Sequence, residues 1–185
     1  MSNEKRVTLV LGGSRSGKSF YAQEAARKYT RVLFVATAEA GDEDMRARIE
    51  KHKADRPATW RTLEAPSRLG TRIEQEYRQE ELVIIDCITL LVTNLMCTVP
   101  EEQYETVDES HLEKAVLDEI AALQLCIRRI DADFIIVSNE VGLGIVPAFR
   151  IGRLYRDILG RANQVLAQTA SEVLFMVAGI PLRVK

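Results

Sequence analysis

Short apolar runs alternate along the chain with longer stretches in which apolar residues recur every three or four positions. The apolar runs are typical of buried strands and lie at residues 6–11, 31–37, 82–85, 133–138 and 172–178. The helical spacing is clearest over 110–129, where the predicted buried stripe is Leu112, Val116, Ile120, Leu123 and Ile127. Strands that alternate with helices favour parallel pairing through right-handed crossovers. The pattern therefore predicts an α/β protein with three layers and a mostly parallel central sheet.

Weaker signals fill in the remaining elements. Further helices are predicted over 20–28, 43–53, 88–96 and 150–169, together with one that begins at Pro66 and buries Leu69, Ile73 and Tyr77. Residues 60–64 are predicted to be extended, 97–109 to form a loop or a partly ordered insertion, and 182–184 to pair at a sheet edge. No repeat, low-complexity tract or linker interrupts this order. We therefore expect residues 1–185 to form a single domain.

The overall composition is that of an ordinary globular domain, with 46% apolar and 28% charged residues among 185. Because 25 Lys and Arg are balanced by 27 Asp and Glu, we expect no nucleic-acid partner. Cys87, Cys97 and Cys126 are odd in number and widely spaced, which argues against a disulfide framework or a paired metal site. Neither an apolar leader nor an apolar run of membrane-spanning length is present, so a cytoplasmic location is expected.

Residues 12–19 form a phosphate-binding loop motif. The run Gly12, Gly13, Ser14, Arg15, Ser16, Gly17, Lys18, Ser19 fits G-x-x-x-x-G-K-[ST] without a mismatch, between a predicted strand and a predicted helix. Glycines permit a tight turn that points several N–H groups into one concavity, and the helix N-terminus adds partial positive charge. Lys18 is expected to reach the outer phosphates of a nucleotide, and Ser19 to ligate Mg²⁺. The motif predicts a nucleotide-binding site.

Two further segments are predicted to lie at the carboxyl edge of the sheet. Asp86 follows the apolar strand 82–85, which is the arrangement of a Walker B element, whose Asp helps to hold the metal at the nucleotide phosphates. Many parallel strands end in Asp, so this pattern gains its weight from the phosphate loop upstream. Residues 139–147 form a glycine-punctuated loop after strand 133–138, a position where ligands bind in open α/β sheets.

The chain has two histidines, His52 and His111. His52 is flanked by Lys51, Lys53 and Arg56, cations that would attract a triphosphate and favour a neutral, nucleophilic imidazole. The same run is also typical of a solvated, charge-rich helix end, and the residues alone favour that interpretation. His111 lies at the start of an amphipathic helix and is predicted to be a surface residue.

These motifs predict that the protein binds a nucleotide, but they do not identify the reaction. The guanine-binding N-K-x-D sequence of switch GTPases is absent, and no Gln or Arg is singled out as a hydrolysis residue. A small-molecule kinase needs only the loop, a metal and a positioned acceptor. The alternative from another functional class is a nucleotide-dependent switch that catalyses no reaction.

Beyond the phosphate loop, six further segments carry a shared family pattern. They are Ala36-Thr37-Ala38, residues 45–60 with the core R-I-x-x-H-K-x-x-R-P, Ile88-Thr89, Thr93-Asn94-Leu95, residues 139–147 and residues 156–164. Together they resemble the bifunctional adenosylcobinamide kinase/adenosylcobinamide-phosphate guanylyltransferase family of cobalamin biosynthesis. The resemblance extends over nearly the whole chain, and its last two segments are far more specific than a phosphate loop.

The resemblance implies a P-loop NTPase-like domain that phosphorylates adenosylcobinamide with ATP or GTP and then transfers GMP from GTP. His52 occupies the position that takes the guanylyl group in the family. The resemblance therefore favours a catalytic role for His52 over a solvated position at a helix end. The implied nucleotide contacts outside the phosphate loop are Ala36, Thr37, Ala38, Lys53, Ala54, Asp55, Arg56, Glu64 and Asp86. Ser19 and Asp86 are the implied metal ligands. A P-loop kinase without guanylyl transfer remains the alternative.

The chain departs from the family pattern at two positions. The position of Asp86 can be Glu in relatives, and Lys51 stands where some members carry a second histidine, which leaves His52 as the candidate nucleophile of its segment. The resemblance further implies a homotrimer that binds a corrinoid substrate together with GTP and ATP.

Overall fold

A seven-stranded sheet organises the structure, a computed structural model that describes residues 5–38 and 57–185. Its strands are β1 (Val7–Gly12), β2 (Val32–Ala36), β3 (Arg61–Glu64), β4 (Leu82–Asp86), β5 (Asp133–Val137), β6 (Glu172–Val177) and β7 (Ile180–Arg183). Their order across the sheet is β3-β2-β4-β5-β1-β6-β7. The first six strands pair in parallel and β7 pairs antiparallel with β6. The predicted mostly parallel α/β sheet is confirmed.

Five α-helices connect the described strands and cover the sheet. They are α1 (Lys18–Ala26), α2 (Leu69–Glu76), α3 (Ile88–Met96), α4 (Glu109–Arg129) and α5 (Arg150–Thr169), and a short 3₁₀ turn spans Glu101–Gln103. Helices α2 to α5 pack on one face, where the predicted α4 stripe is buried in full. Helix α1 packs on the other face through Ala22 and Ala26, whose small side chains allow a close approach. With both faces covered, the central strands are continuous apolar runs.

The helix predicted to begin at Pro66 begins instead at Leu69. Its N-cap, Arg68, has a left-handed backbone with φ 52°, so the chain turns once more after the proline before helical geometry starts. Tyr77 is the C-cap of α2 and only partly buried, so Leu69 and Ile73 alone form the buried stripe of this helix. The helix predicted over 43–53 lies outside the described residues.

The remaining predicted elements agree with the structure to within a few residues. The edge strand predicted at 182–184 is β7, which extends over Ile180–Arg183 and closes a tight hairpin with β6. All three cysteines are free thiols, and His111 is exposed as expected. None of the helices within the described residues is both long and apolar enough to cross a bilayer.

Candidate nucleotide-binding and active site

The phosphate loop connects β1 to α1, and its backbone conformation explains its glycines. Gly12 and Gly17 have φ of 150° and 94°, values that side chains with a Cβ rarely adopt. A Cβ on Gly12 would lie 2.7 Å from the carbonyl oxygen of Met176, and one on Gly17 would lie 3.1 Å from the Cα of Gly179. The loop therefore packs directly against the β6–β7 hairpin, which also donates a 2.9 Å hydrogen bond from Gly179 N to Ser16 O.

Lys18 lies in the first turn of α1 with its side chain almost fully buried. Its ammonium Nζ donates to the carbonyl oxygens of Gly12, at 3.0 Å, and Gly13, at 2.7 Å. Burial lowers the pKa of Lys18, while Cys87, which is charged only as a thiolate, and the carboxylate of Asp86 act in the opposite direction. The predicted phosphate-binding lysine is thus held at the mouth of the loop and is electrostatically coupled to the end of β4.

Asp86 ends β4, two strands away from β1, and a cis peptide bond joins it to Cys87, the N-cap of α3. Burial, followed by the charge of Asp86, raises the pKa of the Cys87 thiol to about 11, so this thiol is protonated at neutral pH. Thr37 Oγ1 donates to Cys87 O at 2.7 Å and accepts from Cys87 N at 2.8 Å. The hydroxyl of the buried Thr37 therefore ties the carboxyl ends of β2 and β4 together.

Helix α3 anchors the segment Ala36-Thr37-Ala38 through a side-chain hydrogen bond. Asn94 Nδ2 donates to the carbonyl oxygens of Thr37, at 2.8 Å, and Pro66, at 3.1 Å. This one amide joins the loop after β2 to the connection between β3 and α2. Two of the segments that carry the family pattern, 36–38 and 93–95, are thus in direct contact.

A second set of hydrogen bonds fixes the segment after β5. Asn139 N donates to Thr89 Oγ1 at 2.8 Å, and Asn163 Nδ2 donates to Asn139 O at 2.9 Å. Ser138 N and Glu140 N donate in turn to Val10 O and Gly12 O, each at 3.0 Å, and so continue the pairing with β1 into the phosphate loop. Three more family segments, 88–89, 139–147 and 156–164, therefore meet beside the loop.

The structure brings the phosphate loop, Ala36, Thr37, Ala38 and Asp86 to one edge of the sheet. Glu64 lies at the same edge, paired in register with Ala36, but it ends the outer strand β3, four strand spacings from β1, or roughly 19 Å at the usual spacing of strands. Glu64 thus lies apart from the phosphate loop. The remaining predicted contacts, His52, Lys53, Ala54, Asp55 and Arg56, lie outside the described residues.

Ser19 and Asp86 supply donors of the kind that Mg²⁺ prefers. A hydroxyl and a carboxylate are hard oxygen ligands, and Asp86 lies close enough to Lys18 for its charge to act on the lysine pKa. Among residues 5–38 and 57–185 there is no cluster of three or more His, Cys, Asp or Glu side chains that could hold a metal alone. This arrangement fits a magnesium ion bound through one or two protein oxygens and the substrate phosphates.

Sequence reasoning missed the individual roles of Thr89, Asn94, Glu140 and Asn163. Each of these residues acts through a contact with a segment distant in sequence, and single polar residues in helices or loops carry no periodic signal. The signal that the sequence does offer is that all four residues lie within the family segments. For Glu140, the segment 139–147 is also predicted to be a loop at the carboxyl end of a strand.

The buried lysine at a glycine-rich strand–helix turn, with a carboxylate at the end of a nearby strand, defines a P-loop nucleotide-binding protein. Residues 8–184 match the family of cobinamide kinase / cobinamide phosphate guanyltransferase, and the chain belongs to that family. The chain is 43% identical over 180 residues to "Bifunctional adenosylcobalamin biosynthesis protein CobU" of Salmonella typhimurium, covering 97% of this chain and 99% of the relative.

Two further relatives are covered over nearly their full length, and both are named as bifunctional adenosylcobalamin biosynthesis proteins. The protein of the same name from Escherichia coli is 40% identical, with 97% of this chain and 99% of the relative covered. "Bifunctional adenosylcobalamin biosynthesis protein CobP" of Pseudomonas aeruginosa is 39% identical, with 96% of both chains covered. The resemblance described from the sequence is confirmed at the level of the family.

Proposed function

We propose that this protein phosphorylates adenosylcobinamide with ATP or GTP and then transfers GMP from GTP to adenosylcobinamide phosphate, giving adenosylcobinamide-GDP. Membership of the family supports the pair of activities. The observation that carries the nucleotide half of the proposal is the phosphate loop with the buried Lys18 at its mouth. Residues 1–185 are proposed to act as one P-loop nucleotide-binding transferase domain.

In the kinase half, the phosphate loop holds the triphosphate and Lys18 neutralises charge on its outer phosphates. The aminopropanol hydroxyl of adenosylcobinamide attacks the γ-phosphorus, and the nucleoside diphosphate leaves. The protein contributes mainly position and charge in such a transfer. Bound through Ser19 and Asp86, Mg²⁺ would neutralise charge on the phosphate oxygens.

In the guanylyltransferase half, a neutral imidazole nitrogen of His52 attacks the α-phosphorus of GTP and pyrophosphate leaves. The phosphate of adenosylcobinamide phosphate then attacks the same phosphorus, and the bond to His52 breaks. The covalent intermediate replaces one difficult displacement by two easier ones. Lys53 and Arg56 are proposed to stabilise charge on the phosphates, together with nucleotide contacts from Ala54 and Asp55.

The assembly and location of the protein are part of the same proposal. The resemblance implies a homotrimer, and exposed apolar side chains on the loop after β5 and on β7 supply surface for contacts between copies. The absence of a bilayer-length apolar helix among the described residues is compatible with a cytoplasmic enzyme. Glu64, remote from the phosphate loop in this structure, is proposed to contact the nucleotide away from its phosphates.

Labelling with GTP that is radioactive at its α-phosphate tests the covalent step directly. Wild-type protein is expected to retain an acid-labile, alkali-stable label, and His52→Ala is expected to retain none because the nucleophile is gone. His111→Ala is the matched control, since the chain has two histidines and His111 is exposed on α4. It should label like wild type.

The same variants separate the two half-reactions. His52→Ala should lose guanylyl transfer while it keeps measurable phosphorylation of adenosylcobinamide. Equal loss of both activities in a folded His52→Ala protein would contradict separate roles. Kinase turnover without any label in the wild type would leave a P-loop kinase without guanylyl transfer.

A further inference from the structure

The backbone of Glu140 lies beside the phosphate loop, and its side-chain carboxylate takes no part in the steps described above. Gly12 O accepts two hydrogen bonds of 3.0 Å, one from Lys18 Nζ and one from Glu140 N. These two nitrogens are therefore no farther apart than two hydrogen-bond lengths. The P-loop lysine binds the outer phosphates. The backbone N of Glu140 therefore lies near the place where the transferred phosphoryl group would bind.

The Glu140 side chain is held by one oxygen and open at the other. Oε1 accepts a hydrogen bond of 2.5 Å from Gly142 N, and Oε2 has no hydrogen-bond partner within residues 5–38 and 57–185. The backbone of the preceding residue is fixed from two sides by Thr89 and Asn163. Within the described residues, Glu140 is therefore a carboxylate fixed at one oxygen, with its other oxygen available to accept a proton, on a segment that bonds to the phosphate loop, and a general base needs such a positioned acceptor.

The other carboxylates that the structure describes at the carboxyl edge are less suited to take a proton from an acceptor. Asp86 ends β4, one strand farther from β1 than Glu140, and belongs to the metal donors. Glu64 ends the outer strand β3. Among the described strand ends, the carboxylate of Glu140 is on the segment that pairs directly with the phosphate-loop strand.

We propose that Glu140 is the general base of the kinase half-reaction alone. As the acceptor hydroxyl oxygen bonds to the γ-phosphorus, the bond from that phosphorus to the β–γ bridging oxygen breaks. The hydroxyl proton passes to Glu140 Oε2, and the nucleoside diphosphate leaves with the bonding electrons. This inference rests on the proposed function and adds a residue to it.

The guanylyltransfer half has no need of this base. Its first nucleophile is a neutral imidazole nitrogen, which attacks with a lone pair. Its second is a phosphate monoester, which is largely ionised at neutral pH because its second pKa is about 6. An alcohol, by contrast, must lose a proton when it is phosphorylated. Substitution of Glu140 should therefore lower the kinase activity and leave guanylyl transfer largely unaffected.

The test compares both half-reactions in Glu140→Gln. Phosphorylation is measured with adenosylcobinamide and γ-labelled triphosphate, and guanylyl transfer with adenosylcobinamide phosphate supplied directly. The amide can still accept the hydrogen bond from Gly142 N, so the loop geometry is kept. We expect kinase kcat to fall roughly 10²- to 10⁴-fold, the usual contribution of a general base, while guanylyl transfer stays within about threefold, well short of that contribution.

Two further variants sharpen the result. Glu140→Asp keeps a carboxylate and should recover part of the kinase turnover, whereas Asp86→Asn should lower both half-reactions. Unchanged kinase turnover, or equal loss of both activities, in a folded Glu140→Gln protein would overturn the inference. Absence of both activities in the wild type would instead overturn the proposed function.

Discussion

Lys18 is the residue on which both proposed half-reactions depend. Its ammonium group is buried, and the loop carbonyl oxygens of Gly12 and Gly13 hold it in place. Triphosphate oxygens can replace those carbonyl oxygens as acceptors and, unlike them, carry negative charge. The lysine therefore exchanges neutral acceptors for charged ones when a nucleotide binds, which strengthens its hydrogen bonds.

Lys18→Ala should weaken the binding of triphosphate in both half-reactions. The loss of a charged hydrogen-bond donor costs about 1.5–3 kcal/mol, or roughly ten- to a hundredfold in Kd. Titration calorimetry with GTP and with ATP measures the effect. Lys114→Ala is the matched control, because Lys114 is exposed on α4 and pairs with Asp118 in its own helix. Unchanged affinity in Lys18→Ala would undo the assignment of the phosphate loop.

Helices α2 and α4 approach each other through a glycine. An added Cβ on Gly70 would lie 2.5 Å from the carbonyl oxygen of Ala122 on α4, and backbone atoms cannot move aside cheaply. At Gly160, in the middle of α5, an added Cβ would meet no atom of the described residues within 4 Å apart from its chain neighbours and the backbone of its own helix. Gly70 and Gly160 thus present opposite packing situations in the same protein.

Replacement of each glycine by alanine should shift stability in opposite directions. Gly70→Ala should lower the free energy of unfolding by about 1–3 kcal/mol, as is usual for overpacking. Gly160→Ala should raise it by about 0.5–1 kcal/mol, since alanine favours the helix and nothing is crowded. Urea unfolding of both variants beside the wild type measures the difference. Stabilisation by Gly70→Ala would contradict the close approach of α2 and α4.

The elements themselves were largely predictable from the sequence, and the contacts between them were not. Strands covered on both faces give apolar runs, and the α4 stripe repeats with the helical period, so local pattern was sufficient. Arg68 shows where local pattern is insufficient. Its left-handed backbone moves the start of α2 from Pro66 to Leu69, and no sequence pattern indicates this conformation. Asn94 and Asn163 act across the fold, and their partners could be identified only from the structure.

At the scale of the whole molecule, most of the large apolar side chains exposed among the described residues fall into two groups, while Phe20 on α1 and Leu125 on α4 lie outside both. One group lies on the loop after β5 and α5's N-cap, with Leu143, Ile145, Val146 and Phe149, and the other on the β6–β7 hairpin and beyond, with Val177, Ile180, Leu182 and Val184. Monomeric proteins rarely expose large contiguous apolar patches. These groups fit the proposed association of several copies.

Light scattering on the purified protein measures that association. A homotrimer predicts a mass three times the 20.8 kDa of the chain, constant over a wide range of concentration. Ile180→Lys with Leu182→Lys would lower the mass if the β7 surface is part of the contact, while Lys114→Ala should leave it unchanged. A mass of one chain at every concentration would contradict the homotrimer.

The packing of the phosphate loop on the β6–β7 hairpin has a consequence for biosynthesis. Residue 16 leaves the ribosome early, but its partner residue 179 follows only after roughly ten to thirty seconds at 5–20 residues per second. For most of that interval β1 lacks its neighbour β5, and until nearly its end it lacks β6, so the nascent chain has no finished cradle for a nucleotide. GTP should therefore protect the loop of a stalled chain from protease only once residues 172–183 have emerged.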